Sequence, residues 1–235
     1  MSLLSNRLKG FWRGPGSSVE AASPANGGGV PQRPAPRPGR KEELEVRQSR
    51  GLEQFFGSFR GQAGLSILDL GGASQENINF ITSLGHKFYS EDFLRIFQET
   101  FGDDVADQSN PGRIDYFLRQ SLEYTDEQFD GVLAWDVLEY MEPALLSATA
   151  DRLLRVMKPQ GYLLAFFRSD DREKTAPYYI FRIQDLRTLQ ISQHGERALP
   201  SQLFNNRRLE KLFQKFQTFK FFLTRDRLRE VIVRK

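Results

Sequence analysis

The chain has 235 residues, of which 39% are hydrophobic and 27% are charged, and this length suits one domain of ordinary size plus a tail. The absence of cysteine excludes disulfides, thiolate metal sites and thiol nucleophiles, and with only two histidines no metal site is predicted. No apolar run approaches the roughly 18 residues of a membrane-spanning helix, and the first residues lack the apolar core of a secretory signal. We therefore expect a cytoplasmic protein.

The net charge of +3 and the pI of about 9.1 are unevenly distributed along the chain. Residues 1–40 carry +5 and residues 207–235 carry +7, so the stretch 41–206 between them carries −9. A basic pI is often associated with nucleic-acid binding. Here the positive charge belongs to the two ends and not to the body, and we expect no nucleic-acid partner.

Residues 1–40 hold 13 of the 30 glycine and proline residues, and the stretch 14–40 is predicted to be a disordered linker. Residues 1–13 mix apolar and basic side chains, a composition compatible with a weak tether to a membrane or a protein. The alternative is a frayed terminus, because isolated helices this short are marginal. The folded domain is predicted to span residues 41–235.

Within that domain the apolar pattern of residues 41–60 predicts a leading helix, interrupted near Gly51. The apolar run at 65–70 ends in two glycines and predicts a buried strand. Further helices are predicted at 75–84, 92–101 and 144–157, and further strands at 86–90, 114–118, 129–135 and 162–167. Strands that alternate with helices predict a parallel sheet covered on both faces.

The end of the chain has a different pattern. A helix is predicted at 207–216, followed by strands at 218–223 and 228–233 with a four-residue turn between them. Strands joined so tightly must pair antiparallel. The predicted fold is therefore an α/β, Rossmann-like, seven-stranded and mostly parallel sheet, with a C-terminal antiparallel hairpin strand and helices on both faces.

Ligands of open α/β sheets bind beyond the carboxyl ends of the strands. The strand at 65–70 leads into Gly71 and Gly72, where the backbone can approach a ligand closely and the next helix offers its first N–H groups. Glu91 and Asp92 follow the next strand, and an acid there can accept hydrogen bonds from both hydroxyls of a ribose.

These segments, in this order and spacing, resemble class I S-adenosylmethionine-dependent methyltransferases over residues 61–235. The matching segments are ILDLGGASQEN (67–77), GHKFYSEDF (85–93), FDGVLAWDVLEYMEP (129–143) and LLRVMKPQGYLLAFF (153–167). The resemblance implies an S-adenosylmethionine-dependent methyltransferase with S-adenosylmethionine as its cofactor. Because the sulfonium is already an excellent leaving group, the protein has mainly to orient the two partners and exclude water, and no catalytic residue is assigned.

The resemblance also implies roles for individual residues in the cofactor site. The glycine loop with Asp69, Gly71, Gly72 and Ala73 would hold the methionine part of the cofactor, and Asp92, with Glu91 beside it, would bind the ribose. Gln120 or Ser121 stands where the family commonly has an acid near the adenine, and Trp135 and Asp136 stand where it closes over cofactor and acceptor.

The acceptor is expected to be a small molecule, recognised by an insert at 170–202 that contains Tyr178, Tyr179, Phe181 and Arg182. This composition suits an anionic or aromatic small molecule, or a peptide. Because the glycine loop and the adenine-side acid depart from the family pattern, the alternative is a catalytically inactive, methyltransferase-like binding module. A nicotinamide-dependent Rossmann enzyme is disfavoured, since Gly-x-Gly-x-x-Gly cannot be laid on residues 71–76. The sequence does not specify an oligomeric state.

Overall fold

The computed structural model describes residues 44–102, 106–168, 175–198, 204–224 and 228–235. The predicted tail at 1–40, its tether at 1–13 and parts of the predicted insert at 170–202 lie outside these residues. None of the described helices combines the length and the apolarity needed to cross a membrane.

The described residues form nine strands and six α-helices. The strands are β1 (Leu44–Gln48), β2 (Ser66–Asp69), β3 (Lys87–Ser90), β4 (Phe129–Trp135), β5 (Met157–Arg168), β6 (Thr175–Ile183), β7 (Thr188–Ala198), β8 (Thr218–Leu223) and β9 (Leu228–Arg234). The helices are α1 (Arg50–Gly57), α2 (Gln75–Ser83), α3 (Phe93–Phe101), α4 (Pro111–Ser121), α5 (Pro143–Val156) and α6 (Asn206–Leu212).

The central sheet has the strand order β3-β2-β4-β5-β9-β8. Strands β2 to β5 pair in parallel, and β9 pairs antiparallel with both β5 and β8. Alternating residues of the sheet enter two apolar cores: one holds residues of α3 to α6, and the other holds residues of α1 and α2. The mostly parallel sheet with helices on both faces and an antiparallel end hairpin is therefore confirmed, with six central strands in place of the predicted seven.

The missing seventh strand was predicted at residues 114–118, and this prediction is wrong because these residues lie within α4. Asn110 caps the helix, since its Oδ1 accepts a hydrogen bond of 2.9 Å from the backbone N–H of Gly112, and Pro111 occupies the first turn. Phe117 is fully buried and packs edge-to-face on Phe93 of α3, with ring centroids 4.9 Å apart. Capping and one-sided burial outweigh the strand preference of this apolar stretch.

The leading helix predicted at 41–60 is wrong in its first part, where the structure has the strand β1. The helix α1 begins only after Ser49, whose Oγ accepts a hydrogen bond of 3.0 Å from the backbone N–H of Leu52. Residues 44–48 are extended because they pair antiparallel with β7, far along the chain. A distant partner therefore decides the conformation of this segment.

Strands β1, β7 and β6 form a second, three-stranded antiparallel sheet, which we call the arm. It contains the described part of the predicted insert. Four apolar side chains of the arm are buried in the core that also holds α1 and α2: Phe181, Ile183, Leu189 and Ile191. The arm consequently lies beside the glycine turn at the start of α2.

Candidate functional site

Asp69, the last residue of β2, organises the glycine turn. Its Oδ1 accepts hydrogen bonds from the backbone N–H of Gly71 at 2.8 Å and from Trp135 Nε1 at 2.6 Å. Its Oδ2 accepts a hydrogen bond of 2.8 Å from Asn77 Nδ2. Burial raises the pKa of Asp69 to about 6, and these three hydrogen bonds oppose the rise. One buried carboxyl therefore joins the glycine turn, β4 and α2.

The same residues connect the glycine turn to the arm. Asn77 is buried in α2, and its Nδ2 also donates a hydrogen bond of 3.1 Å to the carbonyl oxygen of Phe181. Its Oδ1 accepts a hydrogen bond of 2.8 Å from the backbone N–H of Ile183. The indole of Trp135 stacks on the ring of Phe181 with centroids 5.0 Å apart and planes 4° apart. Neither Asn77 nor this stack was assigned to the site from the sequence.

The two positions of the turn require glycine for different reasons. A Cβ on Gly71 would lie 2.8 Å from Cδ1 of Trp135, closer than side-chain carbons approach one another, so only glycine fits beneath the indole. Gly72 has a φ of 84°, a left-handed conformation that favours glycine. Its backbone N–H donates a hydrogen bond of 3.0 Å to the carbonyl oxygen of Glu91, which holds the ends of β2 and β3 together.

The acids after β3 point in different directions. Asp92 caps α3 through Oδ1, which accepts a hydrogen bond of 3.1 Å from the backbone N–H of Arg95. Its side chain is 53% exposed, and Oδ2 lies 3.5 Å from Arg95 Nε. The carboxylate of Glu91 instead accepts a hydrogen bond from the hydroxyl of Tyr124. Of the two acids, Asp92 is the one that faces the cavity described next.

A cavity of about 400 Å³ lies at the carboxyl ends of β2 and β4, bounded on one side by the arm. Its central-sheet side has Leu70, Gly71, Asp92, Leu94, Arg95, Gln98, Trp135, Asp136 and Val137, and its arm side has Tyr178, Tyr179, Ile180, Phe181 and His194. This volume is in the range of small-molecule and cofactor sites. The structure thus brings to one cavity four of the residues assigned from the sequence to the cofactor, Gly71, Asp92, Trp135 and Asp136, and three of those assigned to the acceptor, Tyr178, Tyr179 and Phe181.

The other residues assigned to the cofactor do not line this cavity. Asp69 lies behind the glycine turn, and Glu91 is bonded to Tyr124. Gln120 and Ser121 were assigned on the premise of a strand at 114–118. They instead occupy the last turn of α4, where the buried Ser121 hydroxyl donates a hydrogen bond of 2.8 Å to the carbonyl oxygen of Phe117. The two remaining residues, Gly72 and Ala73, belong to the turn but not to the cavity lining.

A buried polar network borders the cavity beneath the arm. Arg168 Nε lies 3.1 Å from Glu139 Oε1, and the hydroxyl of Tyr140 donates a hydrogen bond of 3.2 Å to Asp136 Oδ2. The guanidinium carbon of Arg168 lies 5.5 Å from the centre of the Tyr179 ring. Burial raises the pKa of Asp136 to about 6 and that of Glu139 to about 8, and Arg168 opposes both rises. The cavity is therefore bordered by a carboxyl that can change protonation near neutral pH.

The sequence assignment missed Glu139 and Arg168. Glu139 and Tyr140 are contained in the segment FDGVLAWDVLEYMEP that carries the resemblance, and Arg168 ends β5 at the carboxyl edge of the sheet. A charged residue at that edge is the signal that could have identified Arg168.

A parallel sheet with a glycine turn after one strand and an acid after the next defines a Rossmann-like protein with its ligand site at the carboxyl edge. The chain matches the methyltransferase domain family over residues 40–218 and belongs to that family. This confirms the family that the sequence resembles: the chain is a member of a methyltransferase family. None of the curated proteins compared with the chain matches it.

Among solved structures, the chain is similar to a 1,6-didemethyltoxoflavin-N1-methyltransferase from Burkholderia thailandensis with bound S-adenosylhomocysteine. That likeness has 14% identity, covers 79% of this chain and 77% of that chain, and has a TM-score of 0.43. A SAM dependent methyltransferase from Archaeoglobus fulgidus is 13% identical; the match covers 78% of this chain and 91% of that chain, with a TM-score of 0.46. Another SAM dependent methyltransferase, from Aquifex aeolicus, is 12% identical; the match covers 78% of this chain and 88% of that chain, with a TM-score of 0.44.

The raised pKa of Asp69 predicts a pH dependence of stability. Because the folded-state pKa of about 6 exceeds the ordinary 3.8, the folded protein binds more protons between these values. The contribution of Asp69 to the free energy of unfolding is fully present below pH 3.8 and is lost as the pH rises through about 6. The free energy of unfolding should fall by about 3 kcal/mol from this group. Urea unfolding at a series of pH values, taken as the difference between the wild type and Asp69→Asn, measures this contribution. A difference that does not change with pH would contradict the prediction.

Proposed function

We propose that the protein transfers a methyl group to a small aromatic or amine acceptor bound in the cavity between the glycine turn and the arm. The single observation that carries this proposal is that one cavity is lined both by Gly71 and Asp92 and by aromatic side chains of the arm. A site for cofactor and acceptor needs the two groups side by side, because positioning supplies much of the rate of a direct transfer.

The cofactor side of the cavity fits an adenosyl group chemically. Asp92 offers a half-exposed carboxylate that can accept hydrogen bonds from ribose hydroxyls while Oδ1 caps α3. Leu94 and Gln98, on the same helix, offer an apolar surface and an amide beside it, as a purine requires. S-adenosylmethionine supplies a methyl group activated on a sulfonium. The residues of this chain that would hold it are Gly71, Asp92, Leu94 and Gln98.

The arm side of the cavity favours an aromatic or amine acceptor over an anionic one. Its lining is aromatic, from Tyr178, Tyr179 and Phe181 together with His194. The basic residue named for an anionic acceptor, Arg182, is engaged elsewhere. Arg182 Nη1 donates a hydrogen bond of 2.8 Å to Ser192 Oγ, and Nε lies 3.7 Å from a Glu76 oxygen.

We assign Asp136 as the base that takes the proton from the acceptor. It is 2% exposed, lines the cavity, and is held by the hydroxyl of Tyr140. An N–H or O–H acceptor loses a proton when it is methylated, and a carboxyl with a pKa near 6 accepts that proton at neutral pH. The stacked rings of Trp135 and Phe181 close the adjacent wall and exclude water.

The test is release of S-adenosylhomocysteine from S-adenosylmethionine with a panel of small aromatic amines and phenols. Asp92→Asn should raise KM for the cofactor at least tenfold without loss of stability, because asparagine caps helices as well as aspartate does. Glu91→Gln is the matched control and should leave KM unchanged, since its amide oxygen still accepts from Tyr124. Asp136→Asn should lower kcat about 100-fold or more, with an unchanged KM for the cofactor.

Titration calorimetry separates the possible failures. If no heat is detected with S-adenosylmethionine, the proposed cofactor contacts are wrong. If the cofactor binds but no member of the panel is methylated, the acceptor assignment is wrong, and the catalytically inactive binding module becomes the better description. If Asp136→Asn retains wild-type kcat, Asp136 does not take the proton.

A further inference from the structure

We propose that two copies of this chain associate through β1, pairing antiparallel about Val46 so that the two arms form one six-stranded sheet. The proposal is independent of the methyl acceptor. It assigns an interaction surface, the outer edge of the arm, and identifies its partner as a second copy of the same chain.

The outer edge of β1 has the properties of a strand awaiting a partner. One edge of β1 pairs with β7, from Leu44 opposite Ser192 to Gln48 opposite Thr188, and no other described strand pairs with it. Leu44 and Val46 are 54% and 65% exposed. An exposed edge strand with apolar side chains is a ready template for pairing with another chain.

The charges of β1 select both the partner and the register. When two copies of one strand pair antiparallel about a two-fold axis, opposite residues lie on the same face of the sheet. Centred on Val46, this pairing sets Glu45 opposite the partner's Arg47, twice in the dimer. Moving the partner strand by two residues keeps each side chain on its face of the sheet. In one direction this move sets Glu45 opposite the partner's Glu45, and in the other it sets Arg47 opposite the partner's Arg47. Of these three registers, the Val46-centred one alone places no like charges opposite one another within β1, and like charges placed directly opposite are destabilising.

The pairing also places the interface beside the cavity wall. Glu45 and Arg47 lie opposite Ile191 and Leu189 of β7, which are buried on the inner face of the arm. Glu45 is close enough to Tyr179 for its charge to contribute to the raised pKa of that tyrosine, and Tyr179 lines the cavity. An association through β1 would therefore fix the strands that form the arm side of the site.

The experiment is sedimentation equilibrium of the full chain over a range of concentrations. The wild type should show a monomer–dimer equilibrium. Glu45→Arg and Arg47→Glu should each raise the dimer dissociation constant at least tenfold, because each places like charges opposite one another twice. The double variant carrying both substitutions exchanges the charges and should restore the wild-type constant to within about threefold.

A matched control is available at an edge of the central sheet, that of β8, where Leu223 is 64% exposed. Leu223→Lys should leave the dissociation constant unchanged. Circular dichroism verifies that each variant is folded. The proposal is overturned if the wild type stays monomeric up to about 100 µM, if folded Glu45→Arg dimerises as the wild type does, if the double variant fails to recover, or if Leu223→Lys dissociates the dimer.

Discussion

Replacement of Gly71 by alanine is expected to destabilise the protein by about 1–3 kcal/mol and to abolish measurable binding of S-adenosylmethionine. The added Cβ would lie 2.8 Å from Trp135 Cδ1 and 3.2 Å from Asp69 Oδ1. The indole cannot retreat freely, because it donates a hydrogen bond to Asp69 and stacks on Phe181. The turn must therefore open, and the cavity wall moves with it. Urea unfolding and titration calorimetry measure the two effects.

Gly57→Ala is the control for this substitution. Gly57 ends α1, and a Cβ there would meet no atom within 4 Å. Alanine should therefore leave stability unchanged or raise it by up to about 1 kcal/mol, because it favours helix more than glycine does. If Gly71→Ala behaves like this control, Trp135 does not hold the turn in the way described.

Replacement of Asn77 by alanine is expected to lower the free energy of unfolding by about 3 kcal/mol. The amide of Asn77 is buried and forms hydrogen bonds with Asp69 Oδ2, the carbonyl oxygen of Phe181 and the backbone N–H of Ile183. Alanine would leave these three groups without a partner where water does not reach them. Urea unfolding gives the free energy, and hydrogen exchange should show faster exchange at the amide of Ile183.

The matched control is Asn79, two residues further along the same helix and exposed, whose Oδ1 accepts a hydrogen bond of 2.7 Å from Nε2 of the exposed Gln75. Asn79→Ala should change stability by no more than about 0.5 kcal/mol. Equal effects of the two substitutions would mean that α2 loses helix stability in both cases and that Asn77 does not connect the arm to the glycine turn.

The sequence alone determined the features that depend on neighbours in the chain. The strand that precedes Gly71 and Gly72, the helix that Asp92 caps and the closing antiparallel hairpin were each predictable, because short-range hydrophobic periodicity, capping residues and tight turns specify them. The same patterns located four of the cavity residues, Gly71, Asp92, Trp135 and Asp136. Such residues follow directly from strand ends, which is where α/β proteins place their ligands.

The tertiary structure alone decided the features that depend on partners distant in the chain. Residues 44–48 became a strand because they pair with β7. The helix at 114–118 is a mixed case, because the burial of Phe117 among the rings of α3 adds to the local cap at Asn110 and Pro111. Asn77 meets Phe181 and Ile183 more than 100 residues away. No local pattern encodes such contacts, since a side chain's spacing in sequence says nothing of which remote backbone will approach it. The site on the central sheet and the aromatic residues of the insert were therefore visible in the sequence, and the pairing of β1, β7 and β6 into the arm was not.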